Sequence, residues 1–398
     1  MKLRLIIPLL FTASISQAQT NPFDATETLS QAQTRLAAIA DRTGDQQFAL
    51  GAVHFLRGIE KTLQTRWQYN ATLDDLDIPV LRLPVEPNPN AMPFRADLIT
   101  DIFAELLTDM NASREALAAV NGEVALRINL QDLWFDINMN EVRDPNEGIM
   151  EIGAASVMSR GQLRNIELMP TNIKVQFDTA DVAWLAAYTH LISGISELVL
   201  AFDPTEAISL VMQSAADMDE FRGRPFTQNG FFLGTNEARW IDQFAMVYGA
   251  LNMQPDVAHT RAAHAHFLGM IAENKDFWAK VVLEDDNQME WIPNDTQQSA
   301  LGFEMPENTG LVWQAILADA EAILNGDLLI THWRVAPGAG INVKEMFMNP
   351  PVVDIVTWMQ GSGLLPYMER GPVATSQSIR AFERLVSGNS LSFSFLLN

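Results

Sequence analysis

The sequence predicts a mainly α-helical protein with a small antiparallel β layer (α+β), folded as a single compact globular unit. First, the stretch 178–203, DTADVAWLAAYTHLISGISELVLAFD, is long, apolar and free of proline up to Asp203. Second, most of the chain places apolar residues at helical spacing, whereas segments between 78 and 178 alternate as strands do. Third, the sequence contains no internal repeat and no low-complexity linker that would divide it.

The central stretch 178–203 is predicted to be a buried helix. Asp178, Thr179 and Asp181 place capping and acidic groups at its start, where unpaired amides and the positive end of the helix dipole lie. A stripe of small and polar residues should let a second helix approach closely. This stripe consists of Ala183, Ala187, His190, Gly194, Glu197 and Ala201.

A membrane span is the alternative interpretation of the same stretch. His190 and Glu197 lie well inside it, and a central acidic residue costs about 2.5–3.5 kcal/mol on insertion scales. No lysine or arginine occurs between Lys174 and Arg222, so the basic flank that orients a span is missing. We therefore expect a core helix and no stable membrane insertion.

Composition limits the class of protein. The chain has 398 residues, 48% of them hydrophobic, and a formal net charge of −23. Such an acidic protein should repel nucleic acid and favour cations. The sequence contains no cysteine, which excludes disulfides, thiolate metal sites and a cysteine nucleophile. A chain of this size without disulfides must therefore be stabilised by its core or by a bound ion.

The N-terminus has the pattern of a secretory signal peptide over residues 1–18. Lys2 and Arg4 form a basic start, 5–13 is apolar, and Ser16-Gln17-Ala18 is a small-residue cleavage site. The pattern predicts a mature domain over 19–398, exported to the periplasm or beyond.

Helices and strands are assigned from periodicity and from proline and glycine positions. Before the central stretch we predict helices over 24–42, 46–69 and 96–120, and strands over 78–85, 124–138 and 165–178. After it we predict helices over 204–221, 236–253, 255–283, 309–324, 342–348, 351–360 and 375–386, and strands over 328–335 and 390–398.

Four segments carry a resemblance to a known group of proteins. These are DVAWLAAYTHLISG, EWIPNDTQ, LLITHWRV and VVDIVTWMQGSGLLPYMERGP. Together they resemble an uncharacterised group of exported bacterial proteins, some of which carry a DxNxDG-type acidic loop. The resemblance covers most of the mature chain and implies export and a single folded unit, but no activity.

The most specific motif is DINMNEVRDPNE, residues 136–147. Calcium loops of the EF-hand or dockerin kind place oxygen ligands at positions 1, 3, 5, 7, 9 and 12. In that order the residues are Asp136, Asn138, Asn140, Val142 through its carbonyl, Asp144 and Glu147. Position 6 is Glu141 where glycine is usual, and a non-glycine residue at positive φ costs on the order of 1 kcal/mol or more. The motif predicts bound calcium, and an ordinary acidic turn is the alternative.

Candidate catalytic residues are few. His190 and Glu197 lie seven apart on the central helix and could form an acid/base pair if they faced a cleft, but a buried polar contact to neighbouring helices is the preferred interpretation. His259, His264 and His266 lack the spacing for one zinc ion. No GxSxG, SxxK, HExxH or phosphate-binding glycine loop is present.

The sequence thus predicts an exported, calcium-stabilised binding or structural protein. A periplasmic hydrolase that uses His190 and Glu197 is one alternative. A membrane-surface partner protein, presenting the apolar segment 226–233 (FTQNGFFL), is the other.

Overall fold

The structure is a computed structural model that describes residues 22–71, 73, 78–157, 173–218, 221, 236–302, 308–374 and 380. Within these residues the chain is mainly helical, with two antiparallel sheets of two strands each. The predicted fold class is therefore confirmed.

The helices have the following bounds. They are α1 (Leu29–Ala37), α2 (Gly44–Gln68), α3 (Leu98–Ala118), α4 (Ile149–Val157), α5 (Thr179–Ala201), α6 (Thr205–Asp217), α7 (Asn236–Leu251), α8 (Val257–Val281), α9 (Thr309–Asn325), α10 (Val343–Met348) and α11 (Ile355–Gln360). The strands are β1 (Ala125–Asn129), β2 (Lys174–Asp178), β3 (Ala339–Ile341) and β4 (Met368–Arg370).

Side-chain caps fix where several helices begin. Thr28, Thr43 and Asp178 each accept a bond from the amide three residues later, and that residue's side chain accepts from the cap amide. At α5 the partners are Asp178 and Asp181, the acidic residues that the sequence marks as the start. These reciprocal bonds satisfy amides that have no partner within the helix.

Helix α5 is the centre of the core. It packs antiparallel against α8 and also contacts α3 and α2. A Cβ atom on Gly194 would lie 2.7 Å from the Phe267 ring of α8, and one on Gly269 would lie 2.7 Å from the His190 ring. The small-residue stripe therefore faces α8, as predicted. By length and composition α5 could cross a membrane, yet 67% of its most apolar window is buried inside the protein.

The larger sheet forms one wall of the core. Strands β1 and β2 pair antiparallel, with Leu126 opposite Phe177 and Ile128 opposite Val175. These four side chains are buried, and β2 leads directly into α5. The pairing places the start of α5 beside the β layer.

The predicted strand over 78–85 is wrong. The segment is a turn in which Val80 adopts φ 69°, and the amide of Arg82 donates to the carbonyl of Ile78 at 3.0 Å. The buried guanidinium of Arg66 donates to the carbonyls of Val80 and Leu83 at 3.3 and 2.7 Å. These carbonyls therefore accept hydrogen bonds from a side chain and not from a neighbouring strand.

Two further strand predictions hold only in part. The strand predicted over 124–138 ends at Asn129, whose side chain accepts a bond from the Gln131 amide and starts a 3₁₀ turn. The strand predicted over 328–335 is reduced to isolated bridges at Leu329 and Ile330. The small sheet of β3 and β4 was not predicted, because each strand has three residues.

Several predictions lie outside the described residues. These are the signal peptide over 1–18, the start of the strand over 165–178, the apolar segment 226–233, most of the helix over 375–386, and the strand over 390–398.

Candidate functional site

An apolar cavity, partly open to solvent, lies between α2, α5 and the β1–β2 sheet. Its volume is about 220 Å³. Arg82 is the only charged side chain among the described residues that line it. The aromatic lining residues are Phe23, Phe48, Phe55, Phe135, Phe177, Trp184, Tyr188 and Trp291. A space of this chemistry suits an apolar molecule.

Aromatic contacts make up one end of the cavity. The ring of Trp291 lies 5.5 Å from that of Trp184 and 5.7 Å from that of Phe177, measured between centroids. Burial raises the pKa of Tyr188 to about 12, so its hydroxyl stays protonated across the physiological range. The lining residues come from segments far apart in sequence, which is why no sequence motif indicates the cavity.

The acidic loop 136–147 lies next to this cavity and begins with the geometry that calcium loops share. The Asp136 carboxylate accepts bonds from the amides of Asn140 and Glu141 at 3.0 and 3.2 Å. Glu141 adopts φ 60°, the left-handed conformation that the motif requires at position 6. Met139 adopts φ 60° as well. The loop thus takes the sharp turn despite the absence of glycine.

Helix α2 holds the start of the loop in place. The carboxylate of Glu60, which is fully buried, accepts a bond from the Asp136 amide at 2.8 Å and pairs with Arg57. Gln64 donates to the Asp136 carbonyl at 2.7 Å. Burial raises the pKa of Glu60, and Arg57 partly offsets the effect.

The other predicted ligands bond to one another within the loop. The side-chain amides of Asn138 and Asn140 both donate to the Asp144 carboxylate, at 2.6 and 2.8 Å. The Glu147 carboxylate accepts from the amides of Ile137 and Asp144 at 3.0 and 2.8 Å. A cation at the loop centre would require both asparagines to turn their oxygens inward. Val142 lies in the same turn, and its amide donates to the Asn140 side chain at 2.7 Å.

The carboxylates of the loop do not form a compact metal cluster. Within the described residues, the one group of three or more acidic or histidine side chains whose ligand atoms lie within 4.8 Å of one another is Asp178, Glu284 and Glu290. Asp136, Asp144 and Glu147 are not such a group. Burial raises the pKa of Glu147, and the loop amides oppose the rise.

The acidic loop and the cavity share a wall. Phe135 immediately precedes the loop, Ile149 follows it by two residues, and both line the cavity. The Phe135 amide donates to the Glu147 carbonyl at 2.8 Å, and the Ile149 amide donates to the Leu133 carbonyl at 3.1 Å. Any change in the loop therefore acts directly on two lining residues.

His190 and Glu197 do not contact each other. The Nδ1 atoms of His190 and His266 lie 3.0 Å apart in a hydrogen bond between α5 and α8. Glu197 is buried, and its Oε2 atom lies 2.5 Å from Nδ1 of His259. Each candidate from α5 is thus paired with a histidine of α8, which sequence spacing along one helix cannot reveal.

The three histidines of α8 have three different partners. His259 binds Glu197, His266 binds His190, and the ring of His264 bonds the Leu324 carbonyl at 2.7 Å. Burial and then Arg114 lower the pKa of both His190 and His266 to about 4. The expectation that one ion cannot bind all three of His259, His264 and His266 agrees with this geometry.

A second acidic cluster joins the end of β2 to the segment after α8. It contains Asp178, Glu284 and Glu290. Burial, the charge of Asp178 and a hydrogen bond with that residue raise the pKa of Glu284 to about 8. From the sequence alone, the acidic run of Glu284, Asp285, Asp286 and Glu290 could bind a cation but is better interpreted as a solvated turn, and Asp178 is assigned to capping.

Apolar side chains are exposed on α6 and α7, which flank the undescribed segment 226–233. Leu210 is 64% exposed, Trp240 60% and Phe244 56%. None of these described residues indicates a particular partner.

Comparison with protein-family models, with curated proteins and with solved structures finds no match to this chain. The resemblance to exported bacterial proteins therefore stays a prediction.

Proposed function

We propose that this chain is an exported binding protein that holds a small apolar molecule in the cavity between α2, α5 and the β1–β2 sheet. The observation that carries the proposal is the cavity itself, about 220 Å³ in volume and lined almost wholly by apolar side chains. Well-packed cores contain few voids larger than a water molecule. An apolar cavity of about 150 Å³ binds benzene in another protein.

The size and lining of the cavity define the class of ligand. A volume somewhat above that of a benzene site suits one substituted aromatic ring or a short aliphatic chain. Trp184, Trp291 and Phe177 offer ring edges and faces to an aromatic ligand. A polar ligand would lose its hydrogen bonds to water without replacement.

Calcium stabilisation is the second part of the proposal. The observation that favours it is Asp136, whose carboxylate binds the amides at positions 5 and 6 of a twelve-residue motif while Glu141 adopts positive φ. Because Phe135 and Ile149 line the cavity on either side of the loop, an ion there would also fix part of the cavity wall. Binding of calcium and of ligand should therefore reinforce each other.

The direct test uses fluorobenzene as the probe, followed by ¹⁹F NMR and by the melting temperature. A ligand that binds only the folded state stabilises it by about 2.7 kcal/mol at a hundredfold excess over its dissociation constant. Ala52 lines the cavity, so Ala52→Leu should fill part of the space and weaken binding at least about tenfold.

The matched control is Ala104→Leu, the same change at an exposed position of α3. It should leave fluorobenzene binding unchanged. No bound ¹⁹F signal in the wild type, or equal binding by both variants, would contradict the proposed cavity function.

A further inference from the structure

The segment 284–302 contributes one side chain, Trp291, to the lining of the partly open cavity. Its residues 285–288 are exposed, whereas the Trp291 ring lines the cavity. The segment crosses the edge of β2, where the Gln176 amide donates to the Met289 carbonyl at 3.0 Å. Moving this segment outward would take the Trp291 ring away from Trp184, 5.5 Å away between centroids, and open the cavity further at that end.

A cluster of carboxyl groups joins the segment to the body of the protein. One carboxylate oxygen from each of Asp178, Glu284 and Glu290 lies within 4.8 Å of the other two. Asp178 belongs to the junction of β2 and α5, whereas Glu284 and Glu290 belong to the segment. Three ionised carboxylates at such distances repel one another, so a proton shared within the cluster turns a repulsive contact into an attractive one.

We propose that the segment 284–302 is a lid over the apolar cavity and that a proton held between Asp178 and Glu284 keeps the lid closed. The proposal rests on the cavity function proposed above and adds its regulation. In the closed state the lid keeps the Trp291 ring in the cavity lining. Loss of the proton leaves like charges facing each other across the junction, and the lid opens more often.

The charged groups around the cluster all act in the same direction. Burial raises the pKa of both Glu284 and Glu290; the charges of Asp178 and Glu290 add to the rise at Glu284, and those of Asp286 and Asp178 add to it at Glu290. Asp181, which is fully buried beside them, also has a raised pKa. The amide of Gln297 donates to Glu284 at 3.2 Å.

The basic side chain of Arg127 bonds the segment by donating to Gln288, and it also donates to Gln176 of β2. It therefore binds neutral amides at the edge of the lid, and among the described contacts it does not neutralise the cluster.

The direction of the pH dependence follows from the raised pKa of Glu284 in the closed state. Closure is fully favoured below the ordinary carboxyl value of about 4.5 and is lost progressively as the pH rises to about 8. Opening should therefore increase between pH 5.5 and pH 8 and then level off.

The test measures the exchange of fluorobenzene between the cavity and solvent by ¹⁹F saturation transfer. In the wild type the exchange rate should rise at least about tenfold between pH 5.5 and pH 8. Glu284→Gln keeps a hydrogen bond to Asp178 without the titration and should remove most of this rise. Asp285→Asn, which removes an exposed charge from the same segment, should leave it unchanged.

A second measurement detects opening of the lid in the absence of any ligand. Hydrogen-exchange protection of the amides over 284–302, corrected for the intrinsic effect of pH, should fall between pH 5.5 and pH 8 in the wild type but not in Glu284→Gln. Absence of fluorobenzene binding would refute the cavity function alone. Equal protection at both pH values, or the same loss in both proteins, would overturn the lid.

Discussion

The buried carboxylate of Glu60 accepts a hydrogen bond from the backbone amide of Asp136 at 2.8 Å, across 76 residues of sequence. This bond fixes the first residue of the acidic loop to the middle of α2. The same helix contributes Phe55, Leu56 and Ile59 to the cavity lining. One helix thus positions both the cavity and the proposed calcium loop.

Replacing Glu60 should destabilise the protein strongly. Glu60→Ala leaves the Arg57 guanidinium without its partner and the Asp136 amide without an acceptor. Breaking a buried ion pair from one side costs about 3–5 kcal/mol. Urea denaturation monitored by circular dichroism measures the change. The control is Glu105→Ala, whose carboxylate is half-exposed and pairs with Lys61, and it should cost less than about 1 kcal/mol. Similar losses in both variants would contradict the anchoring role.

Glu197 and His259 should behave as one structural pair. Glu197→Ala removes the partner of a histidine 2.5 Å away and should cost about 1–3 kcal/mol. His259→Ala should cost a similar amount, and the double variant should cost clearly less than the two single losses together. Denaturant midpoints of the four proteins give the coupling energy. Additive losses would show that the pair contributes nothing as a pair.

The histidines between α5 and α8 should make the fold sensitive to acid. His190 and His266 have pKa values near 4 in the folded protein, against about 6.5 when unfolded, because of burial and Arg114. The unfolded chain binds more protons, so stability falls as the pH drops from about 6.5 towards 4. Urea midpoints at pH 7 and pH 5 measure this loss.

His266→Gln should reduce the loss of stability between pH 7 and pH 5. The glutamine amide does not titrate, so the variant has one fewer buried group that must bind a proton in acid. His332→Gln is the control, since His332 lies beside Trp333 and away from this helix pair. If the two variants lose the same stability between pH 7 and pH 5, the helix pair is not the source of the effect.

Export should be visible in the mass of the mature protein. Expression with residues 1–18 should yield a periplasmic product that begins at or near Gln19, because the small-residue site ends at Ala18. Intact mass spectrometry of the fractions measures this, and Ala18→Asp should block processing. Retention of the wild type in membranes after a carbonate wash would contradict both export of a soluble form and the core-helix role of α5.

Local rules predicted the helical part of the fold well. The start of α5 follows from Asp178 and Asp181, whose side chains form the reciprocal cap. Its burial follows from the run of apolar residues, and the close approach of a second helix follows from Gly194 on the small-residue stripe, although the sequence does not show that this helix is α8. Each of these features depends on residues that are close in sequence.

The rest depends on partners that are distant in sequence. The strand prediction over 78–85 is wrong because Arg66, on α2, donates hydrogen bonds to two carbonyls of this segment. The cavity and the cluster of Asp178 with Glu284 are likewise built from segments that are distant in sequence. Spacing along the chain does not show which of these segments meet. The acidic loop was recognisable because its residues lie within one motif.

Calcium should raise the melting temperature through the acidic loop. An ion that binds only the folded state stabilises it by about 2.7 kcal/mol at a hundredfold excess over its dissociation constant. Glu147→Gln removes the closing ligand and should abolish the shift, whereas Glu141→Gly relieves the residue at φ 60° and should enlarge it. Differential scanning fluorimetry with calcium, and with magnesium as the poorer ion, measures both effects.

The cluster of Asp178, Glu284 and Glu290 is the competing location for a cation, and Glu284→Gln separates the two. This variant should keep the full calcium shift if the ion binds at Asp136 and Glu147. General screening of a protein with a net charge of −23 would act equally on the wild type, Glu147→Gln and Glu284→Gln. Equal shifts in all three proteins would therefore refute a specific site. A shift lost only in Glu284→Gln would assign calcium to the lid cluster and leave the loop as an acidic turn.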